Sequence, residues 1–429
     1  LDASPLSRYQ IIAVAVLMGV NGLDGFDAFA INFASPGLAA EWGIAKDTLG
    51  VVKSMNLIGM AFGALFIAPL ADRFGRRPVI LACTTLLAIS MVACAFVESV
   101  LAMCVWRIIT GLGIGAMLAA ITATAAEMSN AKWRALCVSV SATGYLLGAV
   151  LGGVASAELL EVYSWRSIFA FGGVISALFV PIIAWRVPET LPFLATRGQA
   201  GDLERANAVL HKMGHSQARA LQTDGAQSPS FSIWRLFSGD IRAVTLLVTL
   251  AYFFQVITFY YYVGWVPDII ADLGHSHSDA ARVLTAANLA GVFGALTIGW
   301  FASKFGVTAP TFVAAVAGGL AVAAFGAASG SLGVFVAIGA VAGFFLNSTI
   351  IMMYAIMARA FPVEIRALGA GFVLGVGRAG GVLGPIIGGV LFEAGLNTST
   401  TSFIVAAGSF MCAVMVLFLG PALRRREAA

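Results

Sequence analysis

Twelve apolar runs of roughly 20 residues set the frame of this chain, six on either side of one long polar interruption. Lipid offers no hydrogen-bond partners to a backbone, so a run of this length in a bilayer closes its own bonds as an α-helix. The runs lie at 10–34, 47–70, 79–98, 101–127, 134–158, 165–187, 243–267, 280–304, 309–328, 332–358, 368–395 and 400–420. The interruption, 188–242, carries ATRGQAGDLERANAVLHKMG, a short amphipathic stretch suited to a water-facing surface. The expected fold class is therefore an all-α polytopic membrane protein. It has an N-terminal six-helix bundle over 1–187, a cytoplasmic linker over 188–242 and a C-terminal six-helix bundle over 243–429. Only 11% of residues are charged, against about 25% in soluble domains, so the net charge of +4 points to no nucleic-acid partner. The chain begins at Leu1, and we expect a trimmed N-terminus. With eleven more runs behind it, the first is not expected to be a cleaved signal.

Lys and Arg orient the spans. With the N-terminus inside, Arg8, Arg73, Arg76, Arg77, Lys132, Arg134, Lys304, Arg359, Arg366 and Arg424 to Arg426 all fall on the cytoplasmic side. The opposite loops are short and acidic or polar, as in ADLGHSHSDAA. Both termini are expected in the cytoplasm. The halves also repeat. GALFIAPLADRFG (63–75) matches GALTIGWFASKFG (294–306) at seven of thirteen positions, RALCVSV (134–140) aligns with RALGAGF (366–372), and GAVLG (148–152) with GGVLG (380–384). Repeated halves with a site at midplane are a common build for secondary transporters.

Five ionisable residues lie within the spans: Asp24, Asp27, Lys53, Arg107 and Arg378. Each costs on the order of 3 kcal/mol at the centre of a membrane helix, which marks it as functional by default. Counted at about 1.5 Å per residue, Asp27, Lys53 and Arg107 lie ~10 Å deep, and Asp24 and Arg378 ~15 Å deep. An Arg near the midplane offers a planar fork to a carboxylate, so Arg378 is expected to hold an organic anion, unless it is permanently bridged to Asp24 or Asp27. Proton coupling needs a carboxylate whose charge is stabilised in one state and not in another. Asp27 is favoured for that role over Asp24, with Lys53 and Arg107 as its cationic neighbours. The bland reading is that both acids only fasten the first helix to its neighbours. Lys53 is also a candidate for a second polar group of the substrate. Arg107, Asn21, Phe254, Gln255, Tyr262, Asn288 and Asn347 complete the expected binding residues, although aromatic side chains in such spans commonly pack or anchor at an interface.

The polar loop motifs support a family reading. APLADRFGRRP (68–78) resembles the signature loop of the major facilitator superfamily, and RIITGLGIG (107–115), GYLLGAVLGG (144–153), PETLPFLATRG (188–198) and FPVEIRALGAG (361–371) resemble its other motifs. The pattern departs at Ala68, where a Gly is usual, and at Ala149–Val150, where a Gly-Pro step is common. Within the superfamily, DGFD followed by Pro36, together with GVGRAGGVLGP (375–385), resembles the aromatic acid:proton symporters. That resemblance implies a major facilitator fold with two pseudo-symmetric bundles. It implies symport of a benzoate-, hydroxybenzoate- or protocatechuate-like anion with a proton, by alternating access, in a bacterial inner membrane. It further implies a cytoplasmic conformational latch, for which Asp72, Arg73, Gly75, Arg76, Glu127 and Arg134 are the candidates. In the second copy of the loop Ser303 replaces Asp72, so a weaker latch is expected there.

The expected partners are a small organic anion, a proton and the lipid bilayer, for a monomer that uses the proton gradient and no cofactor. The alternatives are a carrier of a dicarboxylate, muconate or nicotinate-like acid, or a channel or non-transporting sensor on the same fold. No enzyme is expected, since no nucleophile–base pair, phosphate-cradling loop or metal cluster is present. His211, His215, His275 and His277 read as solvated, and Cys83, Cys94, Cys104, Cys137 and Cys412 form no disulfide framework.

Overall fold

The computed structural model describes residues 6–197, 199, 201–218, 220, 233–239, 241–362 and 365–427. Among these it contains helices and no strand, and twelve helices are long and apolar enough to cross a membrane. It is a multi-pass membrane protein. The first six spans are α1 (Arg8–Trp42), α2 (Lys46–Phe62, extended by a wider π-type turn, Gly63–Ile67), α4 (Arg76–Ala95), α5 (Val100–Glu127), α6 (Arg134–Val162) and α7 (Arg166–Arg186). Short helices α3 (Leu70–Phe74), α8 (Leu191–Arg197) and α9 (Asp202–Met213) lie outside the spans. The last six spans are α10 (Ile241–Asp272), α11 (His277–Phe305), α12 (Thr308–Ala327), α13 (Leu332–Ala360), α14 (Arg366–Glu393) and α15 (Thr398–Glu427).

Three helices outrun the sequence reading, each through a proline. The reading stops the first span at 34, before Pro36, the seventh at Pro267 and the last at 420, before Pro421. The helices continue through these prolines to Trp42, Asp272 and Glu427. Pro36 lacks the N–H that would bond the Asn32 carbonyl, and the Ser35 hydroxyl lies 3.0 Å from that oxygen and 2.9 Å from an Asp268 oxygen, two acceptors for its one hydrogen. Membrane helices tolerate proline where such partners re-satisfy the backbone.

Contacts divide the chain into two compact units. The first comprises Leu1–Ala30, Ile58–Gly152 and Arg166–Ser228. Within it α1 and α6 meet backbone to backbone: a Cβ at Gly25 would collide with the Tyr145 carbonyl, and one at Gly148 with the carbonyl of Gly22. The glycine motif of the sixth helix thus serves close packing, the usual use of small residues between membrane helices. On the same unit's surface, α9 buries Ala206 and Met213, with Met213 in a small apolar cluster with Ala13 and Met128. Gly201 and Gly214 cap α9 with positive φ.

The second unit comprises Ile31–Leu57, Gly153–Trp165 and Pro229–Ala429. It joins α10–α15 to one end of α1, α2 and α6. Val244, Val248 and Val256 of α10, Met353 and Ile356 of α13, and Val416 of α15 belong to its core. The sequence repeat has a packing counterpart: Gly63 leaves no room for a Cβ against the Leu112 carbonyl of α5, and its aligned partner Gly294 meets the Phe344 carbonyl of α13 at 2.4 Å from where a Cβ would stand.

Candidate functional site

In the first unit, Asp27 and Arg107 form a fully buried ion pair. Arg107 Nη1 donates to Asp27 Oδ1 at 2.7 Å and Nη2 to the Asp27 backbone carbonyl at 3.0 Å. The guanidinium also lies 5.7 Å over the Phe169 ring of α7. Asp24, three residues earlier on α1, is 1% exposed, and neither of its oxygens has a hydrogen-bond donor among the described residues. It lies close enough to Cys83 of α4 to act on it electrostatically. Asn21 donates to the Ser141 carbonyl at 2.9 Å and so ties α1 to α6, while its own Oδ1 is buried without a donor among the described residues. Of the two neighbours expected for Asp27, Arg107 is present.

Lys53 is committed elsewhere. Its ammonium pairs with Asp268 of α10, donates to the Gly264 carbonyl at 2.7 Å and lies 4.0 Å over the Trp265 ring. The Ser35 hydroxyl is 2.9 Å from the same Asp268 oxygen. Asp268 is the residue that sequence reasoning misses, because a span ended at Pro267 leaves it in a loop. The available signal was the helical register: Asp268 lies four residues after Gly264 and three after Trp265. Two further pairs of the same unit, Lys46 with Asp272 and Arg282 with Glu161, are partly exposed.

Arg378 of α14 is half-buried and lies within electrostatic reach of the Tyr252 and Tyr260 hydroxyls of α10. Tyr252 and Tyr354 of α13 bring their hydroxyls to 3.5 Å. Glycines flanking Arg378 make this possible: Gly377 accepts the Tyr252 ring, and Gly381 the Tyr260 ring, where a Cβ would otherwise stand. None of these tyrosines is among the binding residues expected from the sequence, although the Gly-x3-Gly step around Arg378 is legible there.

The other expected binding residues scatter over helix interfaces. Tyr262 donates to the Gly339 carbonyl at 2.9 Å. Gln255 accepts from Ser409 at 3.0 Å and keeps Nε2 buried with no acceptor among the described residues. Asn347 donates to its own helix at Gly343 and packs against Gly291. Asn288 is buried, its Nδ2 without an acceptor among the described residues. Phe254 is half-buried beside Phe253.

The loop motif closes on itself within the first unit. Arg76 bridges Asp72 at 3.0 Å and Glu127 at 3.1 Å. Gly75 has φ 108°, and the Glu189 carboxylate occupies the space a Cβ would need. Glu189 accepts the Arg76 and Thr190 backbone N–H groups at 3.0 and 2.9 Å; burial nonetheless pushes its carboxyl above the usual range. Arg73 lies over the Phe74 ring, and Arg134 opens α6 on an exposed surface. A cleft of about 470 Å³ beside this loop is lined by Arg77, Glu189, Arg197 and Lys212 among others.

Known proteins resemble the chain along its whole length. The family model described as Major Facilitator Superfamily matches residues 17–267 and 248–429. A gallate transporter of Pseudomonas putida is 30% identical, with 100% of this chain and 96% of that protein covered. A 4-hydroxybenzoate transporter, PcaK, of the same organism is 32% identical over 97% of this chain and 94% of its own. Among solved structures, the xylose transporter XylE from E. coli superposes with a TM-score of 0.75 at 17% identity, covering 95% of this chain and 97% of that one, and so bears on fold alone.

Proposed function

Because the chain belongs to the Major Facilitator Superfamily, a family of membrane transporters and not of enzymes, we propose that it imports a small aromatic carboxylate together with a proton by alternating access. The substrate class rests on the aromatic-acid transporters that match it end to end. We take the membrane to be a bacterial inner membrane, the protein to be a monomer and both termini to be cytoplasmic, the last supported by the Lys and Arg distribution.

The observation that carries the coupling is Asp24, buried with no donor at either oxygen among the described residues. An ionised carboxylate in that position bears its full desolvation cost, whereas a protonated one does not. Asp27 already has its charge met by Arg107. Asp24 therefore carries the proton in this reading, in place of the Asp27 favoured from sequence, and Asp27 fixes Arg107. Arg378 holds the substrate carboxylate, with the Tyr252, Tyr260 and Tyr354 hydroxyls as further polar contacts. One proton accompanying one monovalent anion leaves the cycle electroneutral.

Proteoliposomes with an imposed pH gradient, offered gallate, 4-hydroxybenzoate, benzoate, nicotinate and non-aromatic dicarboxylates, test the proposal. Accumulation of aromatic acids that collapses with the gradient is the expected result. Accumulation indifferent to the gradient removes proton symport, and uptake confined to dicarboxylates removes the aromatic substrate.

A further inference from the structure

We propose that Lys53 is a carboxylate-binding site which the chain fills with its own Asp268 when the Trp42 end of the second unit is closed. When that end opens, the arriving substrate anion takes the place of Asp268 before it passes on to Arg378. This deepens the transport reading above and rests on it.

Closure at this end is drawn tightly around the pair. Lys53 belongs to the segment Ile31–Leu57, which clusters with α10–α15 even though the remainder of α2 belongs to the first unit. The contact is close: a Cβ at Gly50 would stand 2.6 Å from the Pro385 carbonyl, and one at Gly389 would collide with the Lys46 carbonyl. Ser54 donates to the Val382 carbonyl at 2.7 Å. For this end to admit a solute, Ile31–Leu57 must leave α10 and α14, and the Lys53–Asp268 pair must break.

The pair is built for exchange of carboxylates. Lys53 is 3% exposed, too deep to stand without an anion. Its donors reach one carboxylate oxygen and one backbone carbonyl, beneath an aromatic face at 4.0 Å. Trp265 is itself pinned, its indole donating to the Pro385 carbonyl at 3.0 Å. Asp268 meets both Lys53 and Ser35 through a single oxygen, and its other oxygen is buried with no donor among the described residues. The pair is thus held by half of a carboxylate. The further pairs, Lys46–Asp272 and Arg282–Glu161, are partly exposed on both sides, and such pairs contribute little. In the open state Asp268 is taken up by water while Lys53 keeps a carboxylate partner, now the substrate's. Charge is conserved, since one carboxylate replaces another and no proton need move at this site.

The test uses the full-length protein in proteoliposomes, with Leu49→Cys as reporter. Leu49 is buried one turn before Lys53 on α2, and the same protein without this substitution supplies the background of the native cysteines. Asp268→Asn should raise labelling of the reporter by a membrane-impermeant maleimide roughly tenfold or more, from the Trp42 side only, because it leaves Lys53 buried and unpaired. The double variant Lys53→Met, Asp268→Val should restore the parental labelling rate, since a buried pair exchanged for apolar side chains of roughly similar volume is tolerated. In that double variant the KM for 4-hydroxybenzoate uptake should rise about tenfold, the equivalent of one charged hydrogen-bonding partner. Unchanged labelling in Asp268→Asn overturns the gate, and an unchanged KM in the double variant overturns the carboxylate site. A parent protein that carries no acid overturns the transport reading and the exchange with it, while the labelling still decides the gate.

Discussion

Arg107 grips Asp27 twice, through the carboxylate at 2.7 Å and through the backbone carbonyl of the same residue at 3.0 Å. The guanidinium therefore fixes a point on the axis of α1 as well as a charge. Three residues away, Asp24 shares the burial and has no such partner among the described residues. Two acids that look equivalent along the chain thus have opposite surroundings, and they should respond differently to substitution.

Asp27→Asn leaves Arg107 buried without its counter-charge. Loss of one member of a buried pair costs roughly 3–5 kcal/mol, so we expect low yield and a clear drop in thermal midpoint in detergent. Restoring neutrality with Arg107→Met in the same chain should recover much of the midpoint. Additive losses in that double variant would count against a self-contained pair.

Asp24→Asn should behave in the opposite way. The fold loses no partner, so its thermal midpoint should hold or rise, while uptake driven by a pH gradient should fall to the level of an uncoupled exchange. Counterflow of labelled for unlabelled substrate should persist. A variant that still accumulates substrate against a gradient would remove Asp24 as the proton carrier.

Arg378→Lys keeps the charge at α14 and loses the planar fork. Bidentate carboxylate recognition does not survive that exchange; we expect the KM to rise about tenfold, for roughly 1.4 kcal/mol of lost binding. An unchanged KM would mean that the substrate carboxylate sits elsewhere.

Gly75→Ala tests the loop. The position has φ 108° and no space for a Cβ beside Glu189. Alanine there should cost on the order of 1 kcal/mol or more, read as a lower thermal midpoint. Glu189→Ala added to the same chain relieves the crowding but not the backbone strain, and it takes the acceptor from the Arg76 and Thr190 N–H groups, so the midpoint should not be restored.

The linker helix carries a pH dependence. Asp202 of α9 accepts from Arg197 Nε at 3.0 Å and from the Gln199 backbone, and the Arg197 hydrogen bond holds its carboxyl down at about 2, against 3.8 for the free group. A carboxyl that is lowered in the folded state contributes stability above the unfolded value and loses it as pH falls through the folded one. Protection of the α9 amides from hydrogen exchange should therefore be flat above about pH 4 and decline toward pH 2. Asp202→Asn should show the loss already at neutral pH.

The sequence by itself determined the number of spans, the polar interruption between the sixth and seventh, the repeat and the family. A lipid solvent dictates these locally: each helix must close its own backbone bonds, and each glycine step or loop motif works among near neighbours. The loop of Asp72, Gly75 and Arg76 is legible for that reason. Which buried charge meets which was decided only by tertiary structure. Depth along a helix can be counted, but azimuth cannot, and so Lys53, counted to the same layer as Asp27, instead faces Asp268 on α10. The partner itself was hidden by Pro267, since a residue that removes one backbone donor reads as a helix end, whereas packing in the folded protein lets the helix pass through it to Asp272.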